Sequence, residues 1–180
     1  MSTRACYRFI PENSPNDWPG VVTVYKHHDG YPSGAAKAIE NALDYAWKLP
    51  RFEADEFAAA FVAGNKTSAS SIRAQYEQHA VDAEKRAKTD MEYAKADMAS
   101  YYRRLKQDAE AGGGIRLVPY EGLDAYQRFA SDIAYLYDIR CEKGKLRVTA
   151  YTTHERDGIW TVVEFFEGPI KQLARARVPD

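Results

Sequence analysis

Residues 133–153 read IAYLYDIRCEKGKLRVTAYTT, and this stretch decides the class of the fold. Two runs rich in β-branched and aromatic residues, 133–142 and 145–153, meet at Lys143-Gly144. A short connection that contains glycine between two such runs is typical of a β-hairpin. The pattern therefore predicts two antiparallel strands, whose apolar face carries Leu146, Val148 and Ala150.

Further strands are expected on both sides of this hairpin. Downstream, HERDG at 154–158 is expected to turn the chain into a last strand, IWTVVEFF at 159–166. Upstream, IRLVPY at 115–120 has the composition of a strand. These segments together predict a series of four antiparallel strands in the second half of the chain.

The first 28 residues predict two more strands. VVTVYKHH at 21–28 is rich in β-branched residues and is expected to pair antiparallel with the strand that precedes the loop at 11–20. That first strand, TRACYRFI at 3–10, alternates between two faces: Ala5, Tyr7 and Phe9 on one, and Arg4, Cys6 and Arg8 on the other.

Two helices are expected after the second strand. Ser33 is a candidate N-cap for a helix over about 34–48, which Pro50 would end. A second helix, EADEFAAAFVAG at 53–64, would bury Phe57 and Phe61. The apolar positions of the first helix that are expected to lie against the sheet are Ala35, Ile39, Ala42, Leu43, Ala46 and Trp47.

A third, much longer helix is expected between residues 70 and 111. This stretch contains no proline or glycine and is dominated by good helix formers, and Gly112, Gly113 and Gly114 follow it. Its apolar seam repeats in steps of four, four and three residues, which gives an eleven-residue period. A continuous helix of about 40 residues would extend roughly 60 Å. The seam is rich in alanine, so it is expected either to form a homodimer through the long helix or to pack onto its own sheet.

These elements predict an α+β fold. The sheet is mostly antiparallel with about six strands, helices cover one of its faces, and a long helix is inserted. The expected domain organisation is an α+β core made of residues 1–66 and 112–180, with residues 67–111 as the inserted long helix.

Composition excludes several classes of function. The 25 basic and 26 acidic residues leave a net charge of −1, which provides no field for nucleic acid or an anionic membrane. No apolar run approaches the ~18 residues of a membrane span. The two cysteines, Cys6 and Cys141, form no disulfide framework, so a reducing, cytoplasmic compartment is expected.

Several segments together carry a family resemblance. They are MSTRACYRF, VTVYKHHDGYPSGAA, ALDYAWKLPRFEADEFAAAFVAGNK and GGGIRL. They resemble a group of small proteins that bacteriophages, prophages and their hosts encode, which begin M-[ST]-T-R and carry a Y-[KR]-H-x-D-G-Y-P segment. The resemblance covers residues 1–66 and 112–118, and residues 67–111 are an addition to the pattern. It implies a mobile-element setting in a bacterial cytoplasm, and it transfers no activity or catalytic residue.

The segment YKHHDGY at 25–31 raises the question of a metal or acid–base site. Neighbouring residues of an extended strand point to opposite faces, so His27 and His28 are not expected to bind one metal. We favour a structural role, in which Asp29-Gly30 forms a turn and Ser33 caps the helix. No metal and no cofactor are therefore expected.

The leading functional hypothesis is a non-enzymatic protein that binds a host protein stoichiometrically, as a defence-system antagonist would. Tyrosine combines apolar area with a polar tip, which suits protein contacts. The candidate contacts on the long helix are Tyr76, Tyr93, Tyr101 and Tyr102.

Two alternatives remain open. The first is a protein that sequesters a small ligand such as a nucleotide, with Arg4 close enough to His28 or Asp29 to form a charged pair. The second is a small hydrolase that uses His28 and Asp29. The candidate ligand-binding residues are Arg4, Tyr25, His28, Asp29 and Tyr31.

Overall fold

The structure is a computed structural model, and the residues that it describes are 3–12, 14, 20–66, 78, 115–118, 133–156 and 159–179. The chain divides into two units, one made of residues 1–65 and 115–180 and the other of residues 66–114. The predicted long helix, its four tyrosines and its dimer seam lie outside the described residues. The fold below is that of the first unit.

The described residues of the first unit form one sheet and a layer of helices. The strands are β1 (Ala5–Phe9), β2 (Val22–Lys26), β3 (Ile115–Val118), β4 (Tyr135–Glu142), β5 (Lys145–Arg156) and β6 (Ile159–Pro169). The helices among the described residues are α1 (Pro32–Ala42), α2 (Ala54–Asn65) and the short α3 (Ile170–Leu173).

The six strands are arranged in the order β3-β2-β1-β4-β5-β6. Every neighbouring pair is antiparallel except β1 and β4, which are parallel. The prediction of an α+β fold with a mostly antiparallel sheet is confirmed. The prediction of four consecutive antiparallel strands is wrong, because β3 pairs with β2 and β1 lies beside β4. All five residues of β1 are buried, which favours a central position with a strand on each side.

The hairpin formed by β4 and β5 follows the sequence pattern closely. Lys143 and Gly144 have φ values of 51° and 72°, so both occupy the left-handed region that a two-residue hairpin turn requires. The predicted buried face of β5 is confirmed, since Leu146, Val148 and Ala150 are buried. The predicted turn at 154–158 is wrong at its start, because β5 continues to Arg156 in register with β6.

The helices pack on a single face of the sheet. Alternate residues of β1 and β4 supply that face, which includes Tyr7, Phe9 and Ile139. Phe57 and Phe61 of α2 are buried as predicted, and their rings lie 5.6 and 5.4 Å from that of Phe9. Burying each such ring contributes roughly 1.5–3 kcal/mol, so this contact is a main source of stability.

Helix α1 is shorter than predicted and begins earlier. Pro32 occupies its first turn, where the fixed φ of proline suits a helix and no N–H is needed, and Tyr31 rather than Ser33 is the N-cap. The helix ends at Ala42, whose carbonyl accepts hydrogen bonds from the N–H groups of Tyr45 and Ala46. As a consequence Leu43 and Trp47 are exposed, and the prediction that they lie against the sheet is wrong.

Candidate functional site

The corner between β2 and α1 contains most of the residues that the sequence singled out. The Gly30 N–H donates to the carbonyl of Thr3 at 2.8 Å, and the buried Tyr137 hydroxyl donates to the carbonyl of Gly30 at 2.8 Å. A Cβ on Gly30 would lie 2.8 Å from that of Ala5, so the chain passes too close to β1 for a side chain. Asp29 has a φ of 53°, in the left-handed region. The chain bends at His27 and His28, and Gly30 is then held against β1; the turn role of Asp29-Gly30 stays a prediction.

Arg4, Tyr25 and His27 form a polar cluster at this corner. The Nε of Arg4 lies 3.3 Å from Nδ1 of His27, and the Tyr25 hydroxyl lies 2.8 Å from the same nitrogen. Arginine can only donate, so Nδ1 of His27 accepts in its contact with Arg4. Arg4 contacts His27 at this corner, and the approach of Arg4 to His28 or Asp29 stays a prediction.

The two histidines lie closer together than an extended strand would allow. Their rings meet edge to face with centroids 4.6 Å apart. Strand pairing ends at Lys26, so the alternation of faces that we predicted for His27 and His28 is wrong beyond that residue. Among the described residues, no group of three or more His, Cys, Asp or Glu side chains is placed to hold a metal ion.

The remaining candidate ligand residues have other contacts. Lys26 donates to the carbonyl of His28 at 2.5 Å, and burial lowers the pKa of Lys26 while the charge of Asp29 opposes that shift. The Tyr31 hydroxyl donates to the Asp29 carboxylate at 3.5 Å.

A charged pair that the sequence analysis missed lies on the sheet face opposite the helices. Nε and Nη2 of Arg8 donate to the two carboxylate oxygens of Asp138 at 2.6 and 2.5 Å, and both side chains are only 2% exposed. Tyr151 adds a side-chain hydrogen bond to the same carboxylate. Burial raises the pKa of Asp138 against the opposing charge of Arg8, and it raises the pKa of Tyr151 to about 12. This bidentate pair ties β1 to β4.

A second feature that the sequence analysis missed is the segment between α1 and α2. Leu43, Tyr45, Trp47 and Arg51, here called the aromatic patch, are all exposed there; Tyr45 is 62% and Trp47 39% exposed. The guanidinium carbon of Arg51 lies 3.2 Å from the centroid of the Trp47 ring. The backbone N–H of Trp47 donates to Oε1 of Glu56 at 3.0 Å. Arg51 thus contacts the indole itself, and Glu56 holds the backbone of Trp47.

Comparison with known proteins identifies no relative. No protein-family model matches the chain, and no curated protein or solved structure matches it significantly. The helices that the structure describes include none long and apolar enough to cross a membrane.

Proposed function

We propose that the protein is a non-enzymatic binding protein, which acts by stoichiometric interaction with another protein through the aromatic patch. The phage setting that the resemblance implies makes a host protein the proposed target, and a component of a bacterial defence system is the first class to test.

The observation that carries this proposal is the exposure of a tryptophan, a tyrosine and an arginine within one short segment. These three residue types dominate the binding energy of protein interfaces. Large apolar side chains that stand together in a polar rim mark interaction surfaces. Here Asp44, Lys48 and Glu53 supply charges of both signs around the patch.

The contact between Arg51 and Trp47 adds a second argument. A guanidinium on the face of an indole is attracted by the electrons of the ring and restricts its rotamers. A side chain that is already held in place loses less conformational entropy when a partner binds. Arg51 also forms an exposed ion pair with Glu53 at 3.4 Å.

The test is a pull-down from bacterial lysate with tagged wild-type protein and with Tyr45→Ala/Trp47→Ala. We expect the captured partner to bind the double variant at least about tenfold more weakly, since each anchor contributes on the order of 2 kcal/mol. Tyr31→Ala is the matched control, because Tyr31 is an exposed tyrosine outside the patch. Equal capture by the double variant would contradict the proposal.

A second candidate function is the binding of a small anion such as a nucleotide at the β2–α1 corner. Arg4, Lys26, His27 and His28 bring basic side chains together there, and all four are half-buried. This function predicts that nucleotides raise the melting temperature and that Arg4→Ala abolishes the rise, whereas Trp47→Ala leaves it intact. Turnover that His28→Ala abolishes would instead support the hydrolase hypothesis.

A further inference from the structure

The two edges of the sheet differ in length. The edge strand β3 has 4 residues, and the other edge strand, β6, has 11. A short edge gives another chain little to pair with, whereas a long edge presents a row of backbone N–H and C=O groups. Beyond β6 the structure describes no further strand.

The first half of β6 extends past the main sheet. The pairing of β4 with β5 reaches Thr152, whereas the pairing of β5 with β6 continues to Arg156. The Thr153 N–H still donates to the carbonyl of Ala134, and past Thr153, of the described strands, only β5 and β6 pair, as a two-stranded ribbon. Val162 and Val163, opposite Thr153 and Thr152 of β5, lie where this ribbon begins. They point to opposite faces, and they are 41% and 43% exposed.

Proteins protect an edge strand with charges, prolines or bulges. On β6 these devices all lie after Val163: Glu164, the register shift that leaves out Phe165, and Pro169. Thr161, Val162 and Val163 are exposed, and this stretch contains no charge, proline or bulge. This part of β6 therefore offers an uncharged edge of the kind that pairs with another strand.

We propose that two copies of this chain pair antiparallel through the β6 edges, around a two-fold axis that passes through Val162 or Val163, and so double the six-stranded sheet. This interface uses none of the residues of the aromatic patch.

Symmetry and charge limit the registers in which two β6 strands can pair. The two-fold axis of such a pair is perpendicular to the sheet. Two residues that face each other across the axis must therefore have their side chains on the same side of the sheet. Val163 then faces Val163, or Val162 faces Val162, and in both registers Glu164 faces an uncharged residue. Moving the axis to Glu164 would place two carboxylates directly opposite each other, which is destabilising. The stretch is thus complementary to itself, which favours a second copy as its partner.

The first experiment measures molar mass by light scattering over a range of concentrations. We expect the wild-type mass to rise from 20.4 kDa toward twice that value. Val163→Lys should remain a monomer at every concentration. Leu117→Lys is the matched control: it puts the same charge on an exposed position of the β3 edge and should dimerise like the wild type. Circular dichroism before and after heating checks that both variants fold.

The second experiment does not depend on a charged variant. Val162→Cys, Val163→Cys and Leu117→Cys are each treated with a short bismaleimide, while the native Cys6 and Cys141 are buried. At least one of the first two should yield a covalent dimer, and Leu117→Cys should not. A wild type that stays monomeric, a dimer that survives Val163→Lys, or no cross-linking at either valine position would overturn the proposal.

Discussion

Tyr7 and Tyr137 face each other on the paired strands β1 and β4 and differ by one hydrogen bond. Their rings stack with centroids 5.3 Å apart, and both are fully buried. The Tyr137 hydroxyl donates to Gly30, whereas that of Tyr7 is buried with no hydrogen-bond partner among the described residues. Burial raises the pKa of both hydroxyls, so both keep their protons at neutral pH.

This difference predicts opposite results for the same substitution. Tyr137→Phe leaves the buried Gly30 carbonyl without its donor and should lower the free energy of unfolding by roughly 1–3 kcal/mol. Tyr7→Phe removes an unsatisfied hydroxyl and should be neutral or slightly stabilising. Urea unfolding of the two variants measures both values. If Tyr7→Phe lowered the free energy of unfolding more than Tyr137→Phe does, the hydrogen bonding described for these two hydroxyls would be wrong.

The pair Arg8–Asp138 gives a second prediction about single residues. Asp138→Ala leaves a buried guanidinium without its counter-charge and should cost about 3–5 kcal/mol. Replacing both residues, as Arg8→Met/Asp138→Leu, should recover most of that loss because no unpaired charge remains.

The matched control for this pair is Arg147, an exposed arginine on β5 that meets Glu142 and Glu167 at 3.2 Å. Arg147→Ala should change stability by no more than about 1 kcal/mol, since water screens exposed pairs. If the double variant were as unstable as Asp138→Ala, the unpaired charge would not be the cause.

At the scale of elements, the corner between β2 and α1 depends on the close approach of Gly34 to Asp29. A Cβ on Gly34 would lie 2.3 Å from the carbonyl oxygen of Asp29. Gly34 lies inside α1, where alanine is intrinsically better than glycine by about 1 kcal/mol. Any loss of stability in Gly34→Ala therefore reports the contact rather than the helix.

We predict that Gly34→Ala lowers the free energy of unfolding by about 1–3 kcal/mol through overpacking. Asp29→Gly should change it by less than about 1 kcal/mol, because glycine adopts the left-handed conformation of Asp29 without strain. Thermal unfolding compares the two. A stable Gly34→Ala would show that the corner can move, and the turn role of Asp29-Gly30 would lose its support.

At the scale of the whole molecule, residues 66–114 form a unit of their own. We predict that a chain with this unit replaced by a Gly-Ser linker of about ten residues still unfolds cooperatively. The expectation has two reasons. β3, which follows the replaced segment in the sequence, pairs with β2, and the helices are buried against β1 and β4. Circular dichroism and thermal unfolding measure it.

The same replacement of residues 66–114 shows which of two surfaces binds the partner. If the aromatic patch carries recognition, the shortened chain should still capture the partner. If Tyr76, Tyr93, Tyr101 and Tyr102 carry it, capture should be lost from a chain that is otherwise folded.

The amino-acid sequence by itself determined the elements whose pattern is local. The alternation in β1 and β5, the two-residue turn at Lys143-Gly144, and the buried face of α2 all follow from side chains within a few residues of each other. Such patterns show which face of an element is apolar, and they are enough to place the chain in the α+β class.

Only the tertiary structure decided which strands are neighbours and which side chains meet. Arg8 and Asp138 are 130 positions apart in the chain, so no local pattern marks them as a pair until β1 lies beside β4. Trp47 has helical spacing, yet α1 ends at Ala42 and leaves the indole in solvent. The physical reason is that strand order and burial depend on how complete elements fit together, and that fit involves contacts far apart in the sequence.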